Sequence, residues 1–364
     1  MTFNNNFNSL RILAASLVVF SHSYALSIHP DAQPLWRDFQ TTFGKIAVDI
    51  FFFASGYLVY GSLQRSKTNL RYVLSRLVRI YPLLIVTILL TALIIGPITS
   101  KNTLVEYLQQ LQVYKYILLN STLIGLSDSL PGVFEKNPFP ESVNGVIWTL
   151  YLEVRLYFIL LGFHIFNKAS KRFLPFLKFK NSFTTILIIL SFISICIYYH
   201  QDNINWRLSF LFFMGVIFKE KSISIRSNLL LILSLATIIV TSILNPNYLD
   251  DVIFLSIPII IHSLAFMNLG LLSRLNNIGD PSYGLYLFHF PIQQTILNEF
   301  NSFINAPIPL FIVSFVIATG IAFLSYNYFE KPILSIKEDL AANINNFIRN
   351  LKIYENRSNN GIKE

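Results

Sequence analysis

ILAASLVVFSHSYALSI, residues 12 to 28, is a run of seventeen residues without a formal charge. It is long and apolar enough for a helix that enters a bilayer. Arg11 stands immediately before it, and His22 lies eleven positions further on. At 3.6 residues per turn that is three turns plus ~20°, so both side chains leave one face of the helix, ~16 Å apart along its axis. A cation at the membrane surface and an imidazole near mid-bilayer therefore share one stripe, and the rest of the chain reads as organised around it.

The composition agrees. Of 364 residues, 53% are hydrophobic and 13% charged, with a mean hydropathy of +0.54, whereas soluble domains carry roughly 25% charged residues. The class expected is an all-α integral membrane protein in the bilayer, its packing and interfacial belts supplied largely by 33 Phe and 18 Tyr. The single cysteine, Cys196, lies in an apolar run, which excludes an intrachain disulfide. The net charge of +9 sits in short loops between apolar segments, so it speaks for membrane orientation rather than for nucleic acid. A cleaved secretory signal is the competing reading of residues 12–28. Its basic region would hold only Arg11, and no small-x-small cleavage site leads into a soluble domain, so the segment is expected to be retained.

Ten apolar segments follow one another: Ile12–Ile28, Ile46–Leu63, Ile80–Ile98, Val146–Phe166, Phe183–Tyr199, Trp206–Phe218, Leu229–Leu244, Val252–Phe266, Tyr283–Leu297 and Pro307–Phe329. Several are shorter than the ~20 residues of a straight span, the sixth most clearly, and are expected to extend into their flanks or to sit inside the bundle. With the N-terminus in the cytoplasm, the inner loops carry fourteen basic residues: Arg65, Lys67, Arg71, Arg76, Arg79, Lys168, Lys171, Arg172, Lys178, Lys180, Lys219, Lys221, Arg226 and Arg274. The outer loops carry six, Arg37, Lys45, Lys101, Lys115, Lys136 and Arg207. This bias predicts a polytopic bundle of about ten transmembrane helices with both termini cytoplasmic. Residues 1–333 form the membrane domain in this reading, and residues 334–364 a polar, Asn-rich cytoplasmic tail whose last residues are expected to be disordered. The longest outer loop, Thr99 to Gly145, holds a possible amphipathic helix near Val105–Leu119 and a Pro-rich second half. No internal repeat argues for a two-fold transporter.

Ionisable groups inside spans are functional candidates by default. They are His22, Asp49, Glu153 with Arg155, His262 and His289. A neutral imidazole takes up a proton near neutral pH, as a general base for an alcohol must, and the Arg11 partner singles out His22. His262, alone in PIIIHSLAF, reads as structural. Asp49 either fixes packing by pairing with Arg11 or Lys45 or faces a substrate. Ser55 and Gly56, in FFFASGY, permit close approach of a ligand or of another helix. Arg76 and Arg79, one turn apart in RLVRIYP, suit either positive-inside bias or a fork for phosphate, with Arg71 nearby. In WTLYLEVRLY, Glu153 and Tyr157 share a face about two turns below the outer boundary, at a depth His22 can reach, or Glu153 neutralises Arg155. Pro291 in FHFPI would kink its helix and free backbone groups beside His289, near the inner half of the bundle.

Taken together, Arg11 with His22, VDIFFFASGYL (48–58), RLVRIYP (76–82), WTLYLEVRLY (148–157), SYGLYLFHFPI (282–292) and YNYFEKPI (326–333) resemble the membrane-bound acyltransferase family 3, in the family's order. The resemblance implies a bundle that takes an acyl group, acetyl by default, from cytoplasmic acyl-CoA to an acceptor at the outer face, in a bacterial inner membrane. It implies a glycan or lipid-linked sugar as acceptor, such as O-antigen or capsule, and residues matching His22 and Arg11 that are needed for activity. The expected site is then His22 as general base or acyl carrier, with Arg11 and Glu153. Arg76, Arg79, Arg71, Ser55 and His289 are expected on the CoA side, and Trp148, Tyr157 and Asp49 on substrate. Acetyl-CoA is a substrate in this reading, and no metal or prosthetic group is expected. The alternative is an exporter of a glycan unit or acylated metabolite that uses the same buried groups as a path. A lipid-linked sugar transferase would want an acidic metal cluster, which the sequence lacks.

Overall fold

The structure, a computed structural model, describes residues 5–140, 142–173, 182–201, 203–223, 228–300, 304, 306–336 and 344. Among these residues there are helices and no strand, save for one isolated bridge between Ser100 and Val133. Twelve helices carry the argument: α1 (Phe7–Ser27), α2 (Phe43–Arg65), α3 (Asn69–Leu90), α4 (Leu104–Gln109), α5 (Leu111–Thr122), α6 (Ile147–Phe173), α7 (Ser182–Gln201), α8 (Ile204–Glu220), α9 (Asn228–Leu244), α10 (Leu249–Phe266), α11 (Ser282–Phe300) and α12 (Pro307–Ser325).

Each apolar segment of the sequence falls on one of the long helices. Six of those helices are long and apolar enough to cross a membrane, counting the continuation of α3 to Thr99 and of α12 to Ile336. The outward faces of the bundle, on its shorter apolar helices α7 and α9 as well as on these six, are fatty: Phe192 on α7, Ile243 on α9 and Val316 on α12 are each about two-thirds exposed or more, the arrangement of a surface made for lipid. The short sixth segment, α8, is the opposite case. Leu208, Leu211, Phe212 and Val216 are buried, so its apolar length serves the bundle interior.

Small residues set how closely α8 meets α2. A Cβ on Gly56 would stand 2.0 Å from the Phe212 carbonyl oxygen, and one on Gly215 would stand 2.2 Å from that of Phe53. Two glycines thus let the helix backbones touch. Gly56 is a packing residue, while its neighbour Ser55 opens onto a cavity.

The same crossing is tied by an ion network. Arg207 is fully buried in α8 and binds Asp49 of α2 through Nε at 3.1 Å and Nη2 at 2.6 Å. Its Nη1 reaches Asp250 of α10, which also pairs with Lys45 at 2.6 Å. Two sequence expectations are corrected here. Arg207 is a core group and not an outer-loop cation, and Asp49 pairs with Arg207 rather than lying on a cavity. A buried carboxylate with a guanidinium at hand is held by it, because an unpaired charge there is prohibitively costly.

The long loop carries helix in its first half. The expected amphipathic helix is two, α4 and α5, broken at Gln110, and α4 begins with a capping box between Thr103 and Glu106. Residues beyond the loop's helices are pinned to α11. Gln294 donates to the Phe139 and Ser142 carbonyls, and Asn137 donates to Gln294. Asn144 Nδ2 donates to the Leu287 carbonyl at 3.1 Å. That carbonyl lies four residues before Pro291, which has no N–H to give it, so Asn144 fills the vacancy that proline creates. The tail expected beyond residue 334 lies outside the described residues after Ile336, Ile344 aside.

Candidate active site

Two of the cavities between the helices bear the candidate residues. One is lined by Arg11, Ser55, Arg76, Arg79, Glu153 and Tyr157 among others, and is called the arginine cavity. The other is lined by His22, Gln33, Trp36, Lys45 and Trp148 among others, and is called the histidine cavity. It continues into a groove along the long loop, past Asp128, Ser129, Phe139 and Ser142.

At the histidine cavity, His22 Nδ1 lies 2.8 Å from His289 Nε2, the rings 5.1 Å apart and nearly parallel. The hydrogen positions follow from the far side of the pair. His289 Nδ1 lies 2.8 Å from the Tyr286 carbonyl and 3.2 Å from that of Leu285. Carbonyls only accept, so Nδ1 of a neutral His289 carries the hydrogen and its Nε2 is an acceptor. His22 Nδ1 must then be the donor, which leaves His22 Nε2 as a lone pair without a proton. Phe290 closes one side of the His22 ring edge-on, and Gly145 lets Phe290 in, since a Cβ there would stand 2.8 Å from its ring. A base held in one tautomer by a second group is the arrangement used to activate a nucleophile.

This corrects the place of His289. It is not on the cation-lined cavity expected to receive CoA, but is wholly buried against His22.

At the arginine cavity, Asp280, just before α11, gathers two cations: Arg79 Nη2 donates to it at 2.6 Å, and Arg11 Nη1 donates to the same oxygen. Arg79 Nη1 also reaches Glu330 at 3.2 Å. Burial raises the affinity of the Asp280 carboxyl for its proton, but Arg11, Arg79 and the hydrogen bonds from Ser282 together outweigh burial and hold it below the usual carboxylate range. Gly279 makes the approach to this site, with φ +95° and the Tyr326 ring where a Cβ would go. Arg76 is placed differently. Its Nη2 lies 3.2 Å from Ser62 Oγ and its guanidinium faces the Tyr157 ring at 6.0 Å, and among the described residues it has no carboxylate partner. Arg71 is not on the cavity wall; it lies in the first turn of α3, where its backbone N–H meets the Thr68 cap.

Glu153 accepts from Ser55 Oγ at 2.6 Å and from the Tyr157 hydroxyl. It therefore neither pairs with Arg155, which lies over the Tyr151 ring at 3.9 Å, nor meets His22. Arg11 and His22 do share a face of α1, but open onto different cavities. Of the substrate candidates, Trp148 lines the histidine cavity, Tyr157 the arginine cavity and Asp49 neither. The sequence reading missed Asp280, Glu330, Thr149 and Tyr286. The two acids stand in GDPSYG and YNYFEKPI at the ends of apolar segments, which is a usable signal; the tyrosine and threonine carry none. Among the described residues no group of three or more His, Cys, Asp or Glu side chains is placed to hold a metal.

A family model described as an acyltransferase domain matches residues 4–327. The chain belongs to this acyltransferase family. The chain is similar to a Shigella phage Sf6 protein named O-acetyl transferase, 27% identical over 353 residues, covering 91% of this chain and 96% of the phage protein. A Rhizobium leguminosarum bv. viciae protein named nodulation protein 10 is 31% identical over 164 residues, covering 43% of each chain. No solved structure matches the chain. The acyltransferase membership, the all-helical bundle and its apolar exterior together describe a multi-pass membrane acyltransferase.

Proposed function

We propose that this protein is an O-acyltransferase of a bacterial inner membrane that moves an acetyl group from cytoplasmic acetyl-CoA to a hydroxyl of a cell-surface glycan. The observation that carries the proposal is the His22–His289 pair, which leaves one unprotonated imidazole nitrogen on a cavity separate from the one lined by Arg11, Arg76 and Arg79. In this reading the bundle crosses the membrane ten times with both termini cytoplasmic, and the arginine cavity opens to the cytoplasm. The CoA nucleotide stays outside the membrane core near Arg76, whose guanidinium has bonds to give, while the uncharged pantetheine arm enters. Arg11 and Arg79, already committed to Asp280, shape that entrance rather than grip phosphate.

The acceptor hydroxyl enters through the histidine cavity, where the faces of Trp36 and Trp148 suit sugar rings and Gln33 and Asp128 suit their hydroxyls. His22 Nε2 takes the hydroxyl proton as the oxygen forms its bond to the thioester carbonyl carbon. The C–S bond then breaks, and the CoA sulfur leaves with the proton that the imidazole held. His289 keeps the ring oriented and accepts the Nδ1 hydrogen throughout. The phage relative named O-acetyl transferase supports acetyl as the group moved and oxygen as its destination.

The test is transfer of labelled acetyl from acetyl-CoA into the glycan fraction of membranes containing wild-type protein or His22→Ala at matched folded levels. Loss of about 10²–10⁴-fold in the variant is expected for removal of a general base. Equal transfer by both would remove His22 from the chemistry.

A further inference from the structure

The two cavities have three lining residues in common: Val48 of α2, Thr149 of α6 and Tyr286 of α11. Everything proposed to hold the donor lies on one side of these residues, and His22 lies on the other. Between them Thr149 Oγ1 and the Tyr286 hydroxyl meet at 2.7 Å. The direction of this bond is fixed by the threonine's other partner. Its Oγ1 also lies 2.9 Å from the Val146 carbonyl, which only accepts, so the threonine hydrogen is spent there and Tyr286 is the donor to Thr149. The bar is buried at both ends, and Phe51 braces the tyrosine ring edge-on at 5.5 Å. The backbone carbonyl of the same Tyr286 receives the His289 Nδ1 hydrogen, so the ring can turn without loss of the bond that orients the histidine pair.

We propose that Val48, Thr149 and Tyr286 form the partition that decides which acyl groups reach His22. The inference rests on the proposed function, because it takes the donor from the arginine cavity and the acceptor from the histidine cavity. An acyl group enters the partition with its thioester. A two-carbon group displaces one neutral hydrogen bond and passes one branched side chain, whereas each further methylene must be fitted between Val48 and the braced tyrosine ring. One methylene in a fitted apolar site is worth about 10–200-fold in discrimination. The residues at this constriction, not those that bind CoA, then set the chain length of the product.

The experiment compares butyryl-CoA with acetyl-CoA as donors to the same glycan fraction, for wild type, Val48→Ala and Thr149→Ala. The quantity read is the ratio of butyryl to acetyl transfer within each preparation, which does not depend on how much of a variant has folded. A rise of about tenfold or more in both variants is expected. Wild-type acetyl transfer with the same ratio in all three proteins would overturn the partition and leave the acyltransferase reading standing. No acetyl transfer by the wild type would overturn that reading, and the partition with it.

Discussion

At the residue scale, the chemistry rests on which atoms are already occupied. His22 has one nitrogen engaged by His289 and one open to a cavity, and the hydrogen between them is assigned by the two carbonyls behind His289. In the proposed mechanism His289 is therefore a positioning residue. Its replacement by alanine should lower the turnover number by about 10–100-fold, less than loss of the base itself, while leaving the KM for acetyl-CoA unchanged. Steady-state kinetics separate the two, and an equal rise in KM would assign His289 to donor binding instead. Asp280 supports a second prediction. Its carboxyl is held below the ordinary carboxylate range by Arg11 and Arg79, so its contribution to stability is complete above the unfolded-state value near 4 and is lost as pH falls through the lowered folded value. Asp280→Asn should cost about 3–5 kcal/mol at pH 7, because two partly buried guanidiniums lose their shared partner. In thermal unfolding in detergent the wild type and the variant should differ at neutral pH and converge only at pH values well below 4. The sequence displays His22 because an imidazole in an apolar run is visible. It hides Thr149 and Tyr286, since a threonine and a tyrosine in apolar helices are ordinary until the bond between them is known.

At the scale of elements, α2 is the hinge of the arrangement. It gives Ser55 and Val48 to the cavities, Gly56 to the crossing with α8 and Asp49 to the buried ion network. The motif VDIFFFASGYL is thus several jobs on one helix, and spacing alone does not divide them. Gly56→Ala should force the two helices apart, because the new methyl would meet a backbone oxygen and not the end of a flexible side chain. A loss of about 1–3 kcal/mol is expected, read as a fall in the detergent melting temperature, with Ala54→Ser as a mild comparison. Arg207→Leu should be worse, at about 3–5 kcal/mol, for it strands Asp49 in the core. Adding Asp49→Asn to that variant should recover part of the loss in a double-mutant cycle. The position of Arg207 was illegible in the sequence: near the start of an apolar segment, a cation looks like loop charge, and only the carboxylates brought from α2 and α10 make it a core residue. By contrast the consequence of Pro291 was half legible. A freed carbonyl is required by a proline in a helix, but that Asn144 supplies the missing donor is a fact of tertiary structure.

At the scale of the molecule, the long helices coincide with the apolar segments because hydrophobic length is a local property of the chain. The cavities were not legible in the same way. Glu153 and His22 suit one another by depth alone, yet the bundle turns them into separate chambers. That separation gives the account its central claim, which is transfer from one face of the membrane to the other. It is tested most directly with sealed membrane vesicles of known orientation, given labelled acetyl-CoA from outside. In inverted vesicles, whose cytoplasmic face is outward, label should appear in glycan inside the lumen, protected from added hydrolases, and His22→Ala should abolish it. In right-side-out vesicles the same donor should give no transfer. Transfer from the external face, or labelled glycan on the same side as the acetyl-CoA, would contradict the account.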